Sequence, residues 1–159
     1  MNPTRNDLPA DDRKKLVALL QDRLVDAIDL YLQVKNSHWN VKGPTFIALH
    51  ELFDKVAGEA LGYADDLAER AVQLGGTPDG SAGAVSKGSA LPAGKHKFEG
   101  ESDHVKAVAD ALAAFGKTVR KGIEQSDKLD DKDTADLFTE ISRGIDKWVW
   151  FVEAHLQGK

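Results

Sequence analysis

The 159-residue sequence contains no cysteine, and this absence excludes disulfide bonds, thiolate metal sites and cysteine nucleophiles. The sequence also lacks any apolar run long enough to span a bilayer, and its first residues carry no apolar core of a signal peptide. We therefore expect a soluble, cytoplasmic protein that makes no membrane contact. The net charge of −5 argues against a uniformly basic surface of the kind that binds nucleic acids.

Apolar residues recur every three to four positions along four long stretches, a spacing typical of amphipathic helices. We predict helices over about residues 10–37, 45–74, 103–125 and 134–156. Gly43-Pro44 separates the first two helices. No useful length of sequence alternates between apolar and polar residues, so no sheet is expected.

The connections between these helices predict the topology. Short turns join the first helix to the second and the third to the fourth, so each pair should be antiparallel. Residues 75–100, rich in Gly, Ser, Ala and Pro, form a crossover loop with room for a short helix near residues 81–86. The prediction is a single all-α domain over residues 1–159, a four-helix bundle with one long crossover and a short N-terminal tail at residues 1–9.

Several details of the helices are specific enough to test. Ser102 is a plausible N-cap of the third helix. Trp39, beside His38, is expected to pack in the core, with a role as a redox partner as the alternative. The inward face of the first helix is predicted to carry Leu16, Leu20, Leu24, Ile28, Tyr31 and Val34. The apolar pattern of the second helix runs through Phe46, Leu49, Phe53, Val56, Ala60, Leu61, Leu67, Ala71 and Leu74.

Two histidines and three carboxylates have the spacing of a divided metal site. They are His38, His50, Asp54, Asp65 and Glu69. Imidazole and carboxylate together suit a first-row divalent metal such as iron. Residues four apart share one face of a helix, as His50 and Asp54 do, and as Asp65 and Glu69 do. Either pair alone is more typical of a solvated helix face, whereas the whole set favours a metal site.

One straight helix cannot bring both pairs to one ion, because Asp54 and Asp65 are about 16 Å apart along the axis at about 1.5 Å per residue. A twofold axis can do so, because the midpoint between His50 and Glu69 coincides with the midpoint between Asp54 and Asp65. In two antiparallel copies, His50 would face the partner subunit's Glu69, and Asp54 would face the partner subunit's Asp65. The sequence therefore predicts two equivalent sites in a dimer.

Three further residues fit this arrangement. Gly58 and Leu61 lie on the same face near the symmetry centre, and Gly58 would let the two helices approach closely beside Leu61. His38 ends the first helix, and the Gly43-Pro44 turn would bring it beside His50 and Asp54. Because histidine binds metal only when unprotonated, binding should weaken below about pH 6.

The segment HWNVKGPTFIALHELFD at residues 38–54, followed by AERAVQLGG at residues 68–76, resembles the signature of the Dps family, the small-cage branch of the ferritin superfamily. The similarity extends over nearly the whole chain. It implies a ferritin-like four-helix bundle assembled from twofold dimers into a hollow homo-dodecamer. It also implies a ferroxidase centre with one or two irons at each intersubunit site.

The resemblance assigns a role to each of the five candidate residues. His38, His50 and Asp54 would come from one subunit, while Asp65 and Glu69 would come from its partner. The resemblance further implies oxidation of Fe(II) by hydrogen peroxide, or alternatively by oxygen, and storage of a ferric mineral inside the cage. Consumption of both reagents would protect the cell and its DNA from oxidative damage.

A second, competing metal site is the Glu-x-x-His pair formed by Glu101 and His104, a motif that some helical bundles use internally. Its place at a helix start suits capping better. A separate acidic cluster opens the fourth helix and consists of Asp130, Asp131, Asp133 and Asp136. This cluster is explained by N-terminal helix stabilisation, and the resemblance offers an iron-attracting threefold pore as the alternative.

DNA binding is the weakest implication of the resemblance. Relatives that condense DNA commonly use a lysine-rich tail, whereas the tail here offers only Arg5 before Asp7, Asp11 and Asp12. Twelve chains at −5 each would carry roughly −60, which repels phosphate. A nucleoid-associated protein with a secondary metal role therefore stands as the alternative function.

Overall fold

The computed structural model describes residues 1–95 and 97–157, and every regular element in that part of the chain is an α-helix. The five helices are α1 (Ala10–Asn40), α2 (Phe46–Gln73), α3 (Ala82–Gly88), α4 (Glu101–Asp127) and α5 (Lys132–Glu153). The all-α prediction is confirmed, including a short helix, α3, within the crossover. Among the described residues, no helix combines the length and apolar character needed to cross a membrane.

The four long helices pack as two hairpins. α1 lies against α2 and α4 against α5, while contacts of α1 with α4 and of α2 with α5 join the hairpins into a bundle. α3 packs on the outside of α1. The largest fully buried side chains lie between the long helices and include Phe53, Phe115, Phe138, Leu30, Leu67, Leu112, Ile141 and Ile145. Burial of each such side chain contributes about 1.5–3 kcal/mol, so these faces hold the bundle together.

The apolar stripes of α1 and α2 differ from the prediction at three positions. Ile28 and Tyr31 are only half-buried, whereas Ala27 and Leu30 are fully buried. Phe46 is 41% exposed. Leu61, which the sequence places with Gly58 on the face of the twofold axis, is 52% exposed. The prediction for α1 favoured large apolar residues, but the helix period of 3.6 residues places small Ala27 inward.

The start of α4 also differs from the prediction. The helix begins at Glu101 with Gly100 as N-cap, so Ser102 lies inside the first turn and caps nothing. Asp103 instead accepts a hydrogen bond at 3.1 Å from the backbone N–H of Glu99. The Asp103 carboxylate reaches back beyond the start of the helix. It allows α4 to begin earlier than it would with Ser102 as the N-cap.

Polar side chains of α1 fasten the crossover to the bundle. The side chain of Gln21 bonds to Asp79, and that of Gln33 donates to the carbonyl oxygen of Pro92 at 2.9 Å. Fully buried Asp26 accepts from the backbone N–H of Ala90 at 2.8 Å. Burial raises the pKa of the Asp26 carboxyl above its ordinary value, and the hydrogen bond from Ala90 and the nearby charge of Arg23 partly oppose that rise.

The N-terminal segment lies against the end of α2. The backbone N–H of Asn2 donates to the carbonyl oxygen of Gly75 at 2.7 Å, and the guanidinium of Arg13 donates to that of Leu74 at 3.3 Å. Gly75 has φ +88, and a Cβ there would lie 2.6 Å from the Asn2 carbonyl oxygen. Glycine is therefore required where the tail docks.

Candidate metal centre

The α1–α2 turn brings His38 and His50 together. His38 lies in the last turn of α1 and is buried, and His50 lies near the start of α2. Their rings stack with centroids 3.8 Å apart and an angle of 22° between planes. The two predicted histidines are therefore neighbours in space as well as candidates in sequence.

Reciprocal hydrogen bonds fix both rings. Nδ1 of His38 lies 2.8 Å from the carbonyl oxygen of His50, and Nδ1 of His50 lies 2.9 Å from that of His38. A carbonyl oxygen can only accept, so each Nδ1 carries the proton and donates it. In each neutral ring the lone pair then belongs to Nε2, which is the nitrogen left to bind a metal.

Asp54 stands beside this pair. Its Oδ1 is 3.9 Å from Nε2 of His38, and its side chain is 59% exposed. The ammonium of Lys35 donates to the same oxygen at 2.7 Å. That hydrogen bond holds the pKa of the Asp54 carboxyl below its ordinary value, so the group is a carboxylate at neutral pH.

Asp65 and Glu69 do not join the first three residues. Both are exposed on α2, which runs unbroken from Phe46 to Gln73 and therefore keeps Asp65 about 16 Å from Asp54 along its axis at about 1.5 Å per residue. Within residues 1–95 and 97–157, no three His, Asp or Glu side chains of the single chain are placed to hold one ion. The single chain thus keeps the five candidate residues in two separate groups.

The outer surface of α1 and α2 between these parts is apolar. The exposed side chains Leu32, Ile47, Leu61 and Val72 lie on these two helices. A groove of about 550 Å³ is lined by Ile28, Gly58, Leu61, Gly62, Ala64, Asp65 and Ala68. A Cβ added at Gly58 or Gly62 would meet no atom within 4 Å, so packing inside the chain does not require these glycines. We call this surface the α1/α2 outer face.

The competing Glu101–His104 pair has a different role. Oε1 of Glu101 accepts from the backbone N–H of Thr45 at 2.7 Å and from its hydroxyl at 2.9 Å. His104 is buried and stacks on Phe98 with centroids 3.8 Å apart, and burial lowers its pKa. Glu101 is thus engaged by the α1–α2 turn, and capping describes it better than metal binding.

The acidic cluster at the start of α5 is divided in its roles. Asp131 is buried, accepts from Arg70 at 2.8 Å and caps α5 through the backbone N–H of Thr134 at 3.1 Å. Its charge is therefore compensated within the chain, and helix stabilisation explains it. The exposed members are Asp130, Asp133 and Asp136.

Sequence reasoning missed Lys35 and misplaced Trp39. Lys35 precedes His38 by three residues, so helical spacing places both on one face, and that spacing was the available signal. Trp39 is 64% exposed, so the expectation of core packing is wrong. The Lys35 ammonium lies 5.8 Å from the centre of the Trp39 ring, which places the indole beside the candidate centre.

Comparison with known proteins gives one consistent result. The sequence matches the Ferritin-like domain family over residues 17–158. It is 43% identical over 156 residues to the DNA protection during starvation protein of Agrobacterium fabrum, covering 98% of this chain and 96% of the relative. The structure of Mycobacterium smegmatis Dps in a tetragonal form superposes with a TM-score of 0.93 at 33% identity, covering 99% and 96% of the two chains. The structure of DpsA14 from Streptomyces coelicolor superposes with a TM-score of 0.92 at 32% identity, covering 98% of this chain and 92% of that chain.

Proposed function

The chain belongs to the Dps family of ferritin-like proteins, and from this premise we propose that it is a ferroxidase and iron-storage protein. It would oxidise Fe(II), its substrate, with hydrogen peroxide as the favoured oxidant, and keep the ferric product as a mineral inside a dodecameric cage. Its relatives are named for DNA protection during starvation. We propose that protection here acts by removing Fe(II) and peroxide together.

The observation that carries this proposal is the pair of reciprocal hydrogen bonds between His38 and His50. They leave Nε2 of each neutral ring as the free lone pair, and the Asp54 carboxylate lies 3.9 Å from one of these nitrogens. Imidazole nitrogen with carboxylate oxygen is a donor set that suits Fe(II). Backbone carbonyl groups commonly orient metal-binding histidines in this way.

A second subunit would complete the donor set. If two α2 helices pack antiparallel through the α1/α2 outer face, the partner subunit's Asp65 approaches Asp54 and the partner subunit's Glu69 approaches His50. The exposed apolar side chains and the uncrowded Gly58 support close packing of this face. Each dimer would then hold two equivalent centres, each taking one or two irons.

The donor set also suits the oxidation itself. Carboxylate oxygens are hard ligands that favour Fe(III) over Fe(II), so binding makes electron loss easier. Two Fe(II) ions give one electron each to one hydrogen peroxide, whose O–O bond breaks; with two protons it leaves as two waters. Consumption of peroxide in this two-electron step would prevent formation of hydroxyl radical.

Anaerobic titration with Fe(II), followed by peroxide, tests this function. The variant His38→Ala/His50→Ala should lose most of the Fe(II) bound at the centre and oxidise the remainder slowly. His155→Ala removes an exposed histidine just beyond the end of α5 and serves as the control. Native stoichiometry and oxidation rate in the double variant would refute the centre.

Direct DNA binding is the alternative function, and two observations weigh against it. The chain carries a net charge of −5, and the N-terminal segment is docked on the end of α2 through Asn2 and Gly75. A docked segment with little positive charge has few groups free to neutralise phosphates.

A further inference from the structure

Glu101 connects the start of α4 to the turn that precedes α2. Its Oε1 accepts two hydrogen bonds from Thr45, one from the backbone N–H and one from the hydroxyl, at 2.7 and 2.9 Å. Thr45 occupies the N-cap position of α2, yet its own side chain accepts no capping hydrogen bond. The carboxylate from the other hairpin therefore fixes the residue at which α2 begins.

Gly43 makes this contact possible. The residue has φ +145, and a Cβ added there would lie 2.4 Å from Cδ of Glu101. Any other residue at this position would be strained in its backbone and would also displace the carboxylate. The turn and the glutamate side chain thus interlock.

The contact leads directly to the candidate centre. Phe46 follows Thr45, and its ring lies against His50 with centroids 5.1 Å apart. His50 in turn exchanges hydrogen bonds with His38 across the same turn. A shift of Thr45 would therefore move the start of α2 relative to the end of α1 and disturb both histidine bonds.

We propose that Glu101 is a positioning residue that holds the α1–α2 turn so that His38 and His50 keep Nδ1 protonated and Nε2 free for Fe(II). This inference rests on the proposed function for its substrate. Its structural part, control of the two imidazole tautomers, concerns the protein without any metal.

Nitrogen NMR of the imidazole rings in the metal-free protein tests the structural part. In the native protein, His38 and His50 should both give the pattern of the tautomer protonated at Nδ1. Glu101→Ala should give mixed tautomers for both rings. Glu101→Gln keeps an acceptor oxygen and should restore the native pattern, while Thr45→Val, which loses only the hydroxyl bond, should give a smaller change.

A matched control lies further along the same helix. Asp110→Ala removes an exposed carboxylate of α4 and leaves both the helix start and Glu101 unchanged, so the imidazole signals should stay native. Thermal unfolding of each variant distinguishes a local change from loss of the fold. Native tautomer patterns in folded Glu101→Ala would overturn the proposal.

Anaerobic Fe(II) titration then tests the consequence for binding. Glu101→Ala should weaken Fe(II) binding by about tenfold, the lower end of the range for residues that orient metal ligands. Unchanged affinity despite mixed tautomers would also overturn the proposal. If the native protein bound no Fe(II), the proposed function would fail, while the tautomer comparison would still decide the role of Glu101.

Discussion

Two inactive variants of this chain should regain iron oxidation when they assemble together. The first variant, His38→Ala/His50→Ala, lacks the histidine part of the centre, and the second, Asp65→Asn/Glu69→Gln, lacks the distant carboxylates. Because α2 is one unbroken helix, neither chain can complete a centre from its own residues. Each variant alone should therefore be inactive.

The size of the recovery follows from the twofold arrangement. Random assembly of equal amounts of the two chains makes about half of the dimers mixed. In a mixed dimer one centre contains both sets of substitutions, and the other contains none. The mixed preparation should thus reach about one quarter of the native activity.

The assay measures the oxidation of Fe(II) by peroxide, with less than one iron added per centre. The absorbance of the ferric product is monitored after rapid mixing. Native mass spectrometry measures the fraction of mixed dimers, and activity should equal about half of that fraction. Each variant mixed with native chain provides the reference series. A co-assembled preparation that is no more active than its parents would refute a centre divided between subunits.

Four further outcomes follow from the structure. Gly58→Leu should leave the subunit folded, because nothing within the chain lies within 4 Å of the new Cβ. It should weaken the dimer by about 1–3 kcal/mol per copy through overpacking, which analytical ultracentrifugation would detect. Ala113→Leu, at an exposed position of α4, is its control. Lys35→Met should strengthen anaerobic Fe(II) binding several-fold, because the ammonium no longer occupies Oδ1 of Asp54; weaker binding would contradict that competition. Burial raises the pKa of Asp26, so the contribution of its protonated carboxyl to folding stability is fully present below about pH 3.9 and is lost as pH rises through the raised pKa. In urea unfolding across that pH range, Asp26→Asn should become more stable relative to the native protein as pH rises. A stability difference that stays constant with pH would contradict this. Gel-shift titration at low salt should show no retardation of duplex DNA, whereas a strongly salt-dependent shift would favour the alternative function.

The fold was predictable because four amphipathic stretches, joined by two short turns and one long crossover, are the pattern of a four-helix bundle. The helix ends were less predictable, since they depend on contacts between distant segments. Gly100 rather than Ser102 occupies the N-cap position of α4, because the Asp103 carboxylate accepts a hydrogen bond from the backbone N–H of Glu99. The attachment of the crossover through Asp26 likewise needs the tertiary positions of α1 and the loop.

The proximity of His38 and His50 was predictable from their spacing and the short α1–α2 turn, but the orientation of their rings was not. The exchange of hydrogen bonds between His38 and His50 depends on the path of the α1–α2 turn, which sequence spacing does not specify. Glu101 lies 56 residues from Thr45, so no local pattern connects them. The position of Lys35, by contrast, could have been predicted, because helical spacing alone places it on the same face as His38.

Asp65, one of the five candidate ligands, lines the groove of the α1/α2 outer face. Pairing of two copies would bury Leu61 and its apolar neighbours and would also bring each set of carboxylates to the other subunit's histidines. Iron oxidation should therefore follow the dimer equilibrium rather than the number of folded subunits. In a weakened dimer such as Gly58→Leu, activity per chain should rise with protein concentration as the dimer re-forms. A centre contained in one chain would give constant activity per chain at every concentration.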